Sequence, residues 1–201
     1  MAGGVILPRI ASITIELLEE KNGFSLLNDQ RMMLYEAEKD LAIGKITPDA
    51  YLDQLCSVIG GLDTRDNLFI ELMKLIKVDS GPLSTAIDLK QTSQIYLFSD
   101  YPRAWLQAIH NNFHIMSHFT SQNVVYSAEL HLSDDLYSVF DILVAEGSIE
   151  PGASLWLDAY PLRTSAAIRR GIDAIIYVDE RRLRRELNLR KLLPTGIKGD
   201  N

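Results

Sequence analysis

The chain has 201 residues, 47% of them hydrophobic and 23% charged, which suits one sizeable core with a small inserted or appended second unit and excludes a disordered or low-complexity protein. Its net charge of −7 argues against nucleic acid as a partner, for which a basic domain is expected. Its apolar runs are broken by charges far short of the roughly 20 residues a bilayer span needs, so no membrane role is expected.

The chain opens Met1-Ala2-Gly3-Gly4-Val5-Ile6-Leu7, with no basic segment ahead of an apolar stretch, and a cytoplasmic protein is the expectation. From Ser25 to Val78 the pattern is helical, punctuated at Gly44, Thr47-Pro48 and Gly60-Gly61. The first helix draws its apolar side from Leu26, Leu27, Met32, Met33, Leu34 and Leu41. Thr47 is placed to cap the second, with Pro48 in its first turn. Asp63 or Thr64 caps the third, and no strand signal interrupts the region, so residues 23–78 read as a small helical lobe. Cys56 sits in the apolar pattern of Tyr51, Leu52, Leu55 and Ile59, where a thiol is packing material rather than a nucleophile.

After Gly81-Pro82 short β-rich runs alternate with helices. The runs are Ile95–Phe98, a weak one near Phe113–Met116, Val124–Tyr126, Leu155–Leu157 and Ala174–Tyr177. Helices are expected at Pro102–His110, Asp134–Glu146, Leu162–Arg170 and Glu180–Leu189. Strands apolar almost throughout, alternating with helices, define a parallel sheet covered on both faces. Ligands of such sheets sit at the carboxyl ends of the strands. Those ends read Ser99-Asp100, Ser127 and Asp158-Ala159, a site-like set.

These segments resemble the haloacid dehalogenase (HAD) superfamily, especially the phosphatase-like subfamily that includes the N-terminal domain of epoxide hydrolases. Gly3-Gly4-Val5-Ile6-Leu7 is similar to the end of the first motif, with Met1 where the nucleophilic aspartate would stand and Gly3 at the second acidic position. Gly44-Lys45-Ile46 resembles a segment between cap helices. Leu97-Phe98-Ser99-Asp100 resembles the second motif, whose hydroxyl binds the phosphoryl group. Tyr126-Ser127-Ala128-Glu129 resembles the approach to the third, whose lysine position is Asp134. Leu155-Trp156-Leu157-Asp158-Ala159 resembles the fourth, where an Asp-Asp pair helps hold magnesium; Ala159 takes the second acid's place and Arg163 that of a usual asparagine.

The resemblance implies a HAD-like Rossmannoid α/β fold, a three-layer parallel sheet with a small helical cap domain. Residues 1–22 and 79–201 would form the core domain and residues 23–78 the cap. It also implies lost chemistry. A carboxylate nucleophile splits one hard step into two, and magnesium and lysine offset the charge on phosphate. With Met1, Asp134 and Ala159 at those positions no catalytic set is intact. Ser99 is a remnant phosphate contact, and Asp158 with the Gly3 carbonyl a remnant metal site. An in-frame upstream run ending in Phe-Asp would restore the nucleophile but neither of the other two groups. The expectation is therefore a pseudoenzyme that binds an unidentified protein or small molecule, with homo-oligomers open and no cofactor. The competing expectation is a weak or altered hydrolase of phosphoesters using Mg2+ and a substitute carboxylate, Asp100 or Asp134.

Two further signals remain. His110, His114 and His118 recur at intervals of four, but Asn111-Asn112 is expected to end the helix and separate their faces. Arg163–Lys191 holds nine of the twenty basic residues against four acids, and helical spacing of Leu183 and Leu187 makes it an amphipathic helix with a solvated basic face or a surface for an anionic partner. Trp105 and Trp156 are expected to fill the core.

Overall fold

Helix α1, Ile10–Asn22, buries Ile10, Ala11, Ile13, Thr14, Ile15, Leu17 and Leu18, so packing overrides the modest helix preference of its β-branched residues. Its first turn is completed from outside: Glu38 accepts a hydrogen bond from the Ala11 amide at 3.0 Å and an ion pair from Arg9 at 2.5 Å. At its other end Gly23, in the left-handed region at φ 70, donates its N–H to the Glu19 carbonyl. In this computed structural model residues 4–58, 60–61, 63–130, 132 and 137–193 are described. Met1, Gly3, Ile59, His131, Asp134 and the polar tail from Gly196 lie outside them.

Helices α2 (Asn28–Ala42), α3 (Pro48–Val58) and α4 (Arg65–Leu75) follow in the expected places. Thr47 accepts from the Ala50 amide at 3.1 Å and Thr64 from the Asn67 amide at 3.3 Å, so both threonines cap as their positions predict. The buried side of α2 is Leu34, Ala37, Glu38, Leu41 and Ala42. Leu27, Met32 and Met33 are exposed instead, because α2 turns only one stripe toward its neighbours. α1 packs on α2 and α4, and α3 packs on both of those, so the helices from Ile10 to Leu75 form one group. The Thr14 hydroxyl and the Tyr51 phenol, 2.9 Å apart and buried, link α1 to α3 inside it.

α5 (Ser80–Leu89) carries Gly81 and Pro82 in its first turn, where proline costs little because its missing N–H would have no intrahelical partner. The α/β part then runs β1 (Leu97–Ser99), α6 (Arg103–Phe113), β2 (Val124–Tyr126), α7 (Val139–Ala145), β3 (Leu155–Asp158), α8 (Pro161–Ile168), β4 (Asp173–Ile176) and α9 (Glu180–Leu189). Both strand pairings are parallel, with Phe98 opposite Val125 and Trp156 opposite Ala174. Phe113–Met116 is no strand. α6 continues to Phe113, ends on left-handed His114 at φ 54, and a short 3-10 turn follows over Ile115–His118.

The expected sheet of four or five strands is divided. β1 pairs with β2 and β3 with β4, and among the described residues no strand joins the pairs. Gly4–Ile6 is a turn closed by the Gly4 amide on the Leu7 carbonyl at 2.6 Å, and Leu7 makes a single bridge. One apolar cluster runs from Val5–Leu7 through α1–α4, β1, α6 and α7 to Trp156. A smaller one joins Ile175 to Leu183 and Leu187 of α9. No helix among the described residues is long and apolar enough to cross a membrane.

Candidate functional site

Asp100 follows β1, and Asp158 is the last residue of β3. The sheet therefore delivers two carboxylates to the same end of the molecule, the end where parallel sheets hold ligands. Between them lies a guanidinium. Arg163, in the first turn of α8, donates from Nη1 and Nη2 to Oδ1 and Oδ2 of Asp100, each at 3.0 Å, and its Nε pairs with Asp158 Oδ2 at 2.8 Å. The planar fork matches one carboxylate with two bonds and leaves Nε for the other, which a lysine ammonium would not do.

Arg163 is only 2% exposed. Burial works against its charge, but Asp100 and Asp158 outweigh it and hold its pKa above the usual arginine value. For Asp158 burial pushes the carboxyl up, opposed by the Arg163 charge, the Tyr160 amide on Oδ1 at 2.9 Å and the Trp156 indole N–H on Oδ2 at 2.9 Å. Five N–H-bearing nitrogens, three from Arg163 and one each from Trp156 and Tyr160, thus hold the two carboxylates. The Tyr160 ring stacks on Arg163 at 4.6 Å from its centroid, and Arg9 lies on Tyr160 as well, at 4.8 Å.

Ser99 is fully buried, and its hydroxyl is engaged locally, accepting from the Tyr101 amide at 3.1 Å and lying 3.2 Å from the Tyr101 carbonyl oxygen. Ser127, also fully buried, donates to the Ala42 carbonyl at the end of α2, 2.6 Å away, and lies 3.2 Å from the Ser99 carbonyl. Ala159 turns its methyl toward Gly4, whose left-handed φ of 83 excludes most other residues and where an added Cβ would stand 3.0 Å from the Ala159 Cβ. The structure thus brings together Asp158, Asp100, Ser99 and Ala159; Met1, Gly3 and Asp134 are outside the described residues.

Magnesium prefers a near-octahedral set of oxygens with several waters retained. The carboxylates here already face N–H donors, and a permanent positive charge lies between them, so the residues present do not fit the ion. Among the described residues no group of three or more His, Cys, Asp or Glu side chains is placed to hold a metal. His110 and His114 meet edge to face, ring centroids 6.0 Å apart, with no third ligand among the described residues.

Four of the nine basic residues of the Arg163–Lys191 stretch are spent on ion pairs within the chain. Arg184 pairs with Glu180 and Asp88, Arg190 with Asp173 and Glu186, and Arg170 with Asp141, while Arg163 points inward. Trp105 and Trp156 are buried, as expected. What the sequence does not disclose is the bridge itself. Its one local signal is the spacing from Asp158 to Arg163 across a strand-to-helix turn, which brings the end of a strand and the first turn of the next helix together.

No family model matches the chain, and no curated protein matches it in sequence. Solved structures do match in fold. A HAD family enzyme from Bacteroides thetaiotaomicron, in its magnesium complex, superposes at a TM-score of 0.64 with 16% identity, covering 91% of this chain and 94% of that one. A predicted HAD-like family hydrolase from Porphyromonas gingivalis gives 0.62 at 16% identity over 87% and 86%. The L-2-haloacid dehalogenase from Xanthobacter autotrophicus gives 0.56 at 14% over 96% and 82%. The fold is that of the HAD-family hydrolases, a Rossmannoid α/β architecture.

Proposed function

We propose that this HAD-fold protein is not a phosphohydrolase and acts as a binding or regulatory protein. The observation that carries this reading is the Arg163 guanidinium between Asp100 and Asp158. It supplies internally the positive charge that two buried carboxylates require, and it takes the hydrogen-bonding capacity that a metal and a phosphoryl group would compete for. Ala159 at the second acid position supports the same reading. Asp100 makes a poor substitute nucleophile, since both its oxygens are engaged by Arg163.

In this reading residues 1–22 and 79–201 form the core domain and residues 23–78 the cap, with α1 of the core packing on α2 and α4 of the cap. The protein works in the cytoplasm, without a resident cofactor, on a protein or small-molecule partner. The test is a panel of phosphomonoesters assayed with Mg2+, beside thermal melts with and without the ion. Neither turnover nor a magnesium-dependent rise in melting temperature is expected. Magnesium-dependent turnover that disappears in Asp158→Ala would overturn the proposal.

A further inference from the structure

Leu183 and Leu187 form the buried stripe of α9, which packs beside α5. At about 100° per residue, Glu180 and Arg184 flank that stripe on one side and Glu186 and Arg190 on the other. Both flanks are neutralised within the chain. Arg184 pairs with Glu180 at 2.9 Å and with Asp88 of α5 at 3.2 Å, and Arg190 pairs with Glu186 and Asp173, each at 2.7 Å. The crest opposite the leucines carries Arg181, Arg182, Arg185, Asn188 and Leu189 within about 120° of arc. All five are exposed, Leu189 at 69%.

The crest thus holds three guanidiniums and no carboxylate. None of the three makes an ion pair or hydrogen bond among the described residues, because the neighbouring acids are engaged elsewhere: Asp179 accepts from the Arg182 amide as N-cap, while Glu180 and Glu186 take Arg184 and Arg190. The arrangement works against the helix. Arg181 and Arg182 meet the positive end of its dipole in the first turn, and Arg181 and Arg185 repel each other at i, i+4. An anion on the crest offsets both costs. Residues 194–201 bring no net charge to answer it, holding one lysine and one aspartate. Guanidinium forks take carboxylates and phosphates alike, but Leu189 on the same crest calls for an apolar neighbour, which a polypeptide supplies and a phosphate backbone does not. An anionic membrane fits less well. α9 keeps its apolar stripe inward, where a helix lying in a bilayer surface needs it outward, and outside Arg163–Lys191 acids outnumber bases by about two to one.

We propose that the outer face of α9 is a docking surface for an acidic segment of a partner polypeptide, whose carboxylates meet Arg181, Arg182 and Arg185 and whose apolar side chain meets Leu189. Arg181 and Arg185 stand about 6 Å apart along the helix, which sets the spacing of the carboxylates they receive. This surface is separate from the Asp100–Arg163–Asp158 cluster, and its occupancy does not depend on whether that cluster is inactive.

The test is a titration of the isotope-labelled full chain with the acetylated, amidated peptide Leu-Ala-Ala-Glu-Glu-Ala-Ala-Glu-Glu, followed by amide chemical shifts. The shifts are expected to gather in Glu180–Leu189, and the dissociation constant should rise at least tenfold when Arg181→Gln, Arg182→Gln and Arg185→Gln are combined. Lys39→Gln, Lys74→Gln and Lys77→Gln together remove the same charge from exposed positions elsewhere and should leave binding nearly unchanged. A peptide with glutamine for every glutamate should not bind. The arginine variant should melt no lower than the unaltered protein, since the first-turn and i, i+4 repulsions leave with the arginines; should it fail to fold, the glutamine peptide on the unaltered protein decides alone. No binding of the glutamate peptide, equal binding of the glutamine peptide, or equal weakening by both triple substitutions would overturn the proposal. Tighter binding to phosphatidylserine-containing vesicles or to a DNA duplex would assign the face to a membrane or a nucleic acid and overturn it. A dimer of the free protein that the arginine variant loses would assign it to a second copy of the chain and overturn it equally.

Discussion

The Nε of Arg163 lies 2.8 Å from Oδ2 of Asp158, with the arginine 2% and the aspartate 0% exposed. A pair so placed holds its members mutually hostage, because neither charge has water to fall back on. The same guanidinium serves Asp100, so three charges stand or fall together.

Replacing Arg163 by Met leaves Asp100 and Asp158 buried without their cation. The expected loss of folding stability is about 3–5 kcal/mol, the range for breaking a buried ion pair on one side, measured by urea denaturation. Adding Asp100→Asn and Asp158→Asn to the same chain should recover most of it. An unchanged urea midpoint in the single variant would refute the account of the triad.

Arg163→Asn should uncover two carboxylates with room between them and create a divalent-cation site. Mn2+ binding followed by electron paramagnetic resonance is expected in the variant and absent from the unaltered protein. Saturating Mn2+ should also raise the variant's melting temperature, since a ligand of the folded state stabilises it by mass action. Equal Mn2+ binding by both proteins would show that Arg163 does not stand in for a metal.

At Gly44 the backbone adopts φ 75, and an added Cβ would lie 2.5 Å from the Ala128 carbonyl oxygen. Gly44→Ala therefore combines a left-handed residue, about 1–2 kcal/mol by itself, with a backbone clash. A destabilisation at or above that size is expected in chemical denaturation. Gly60→Ala serves as a control, since its φ is 67 but no atom lies within 4 Å of the added Cβ.

Acid should weaken the fold in a defined direction. Lys21 beside Asp63, Arg103 beside Glu129, Arg170 beside Asp141 and Arg190 beside Asp173 hold these carboxyls below the usual carboxylate range. The unfolded chain then binds more protons in acid than the folded one, so stability rises with pH. The contribution is complete above the ordinary carboxylate values near pH 4 and is lost as pH falls through the lowered folded values. Melting temperatures measured in steps from pH 6 downward should be level at first and then fall. Added salt should flatten the fall, because these pairs are mostly exposed. A melting temperature that rises on acidification would contradict the assignment.

Local signals in the sequence carried the elements they govern. α9 begins and ends where its leucine spacing and the Asp179 side chain, which accepts from the Arg182 amide, would put it. Thr47 and Thr64 start their helices for the same reason. α1 escaped because Ile10, Ile13, Thr14 and Ile15 carry strand-like preference, and its helical state rests on tertiary burial and on Glu38, 27 residues from the amide it accepts from. α5 escaped because Gly81-Pro82 reads as a break, although a first helical turn tolerates both. The resemblance marked the strand ends and the altered positions, but not what Arg163 does. Its Asp100 partner is 63 residues away, and distance along the chain hides such a pairing from any local pattern.

The fastening of α2 to the sheet also bears on how the molecule moves. The Ser127 hydroxyl on the Ala42 carbonyl and the tight seat of Gly44 on Ala128 lie on the short stretch that links α2 to α3. A swing of the helical group about that stretch would strip a buried hydroxyl of its acceptor and pull apart two backbones in close contact. A hinge motion on the microsecond-to-millisecond scale would have to break both contacts. At the Asp100–Arg163–Asp158 cluster the Tyr160 ring lies against both Arg9 and Arg163, a contact that side-chain rotation alone can open.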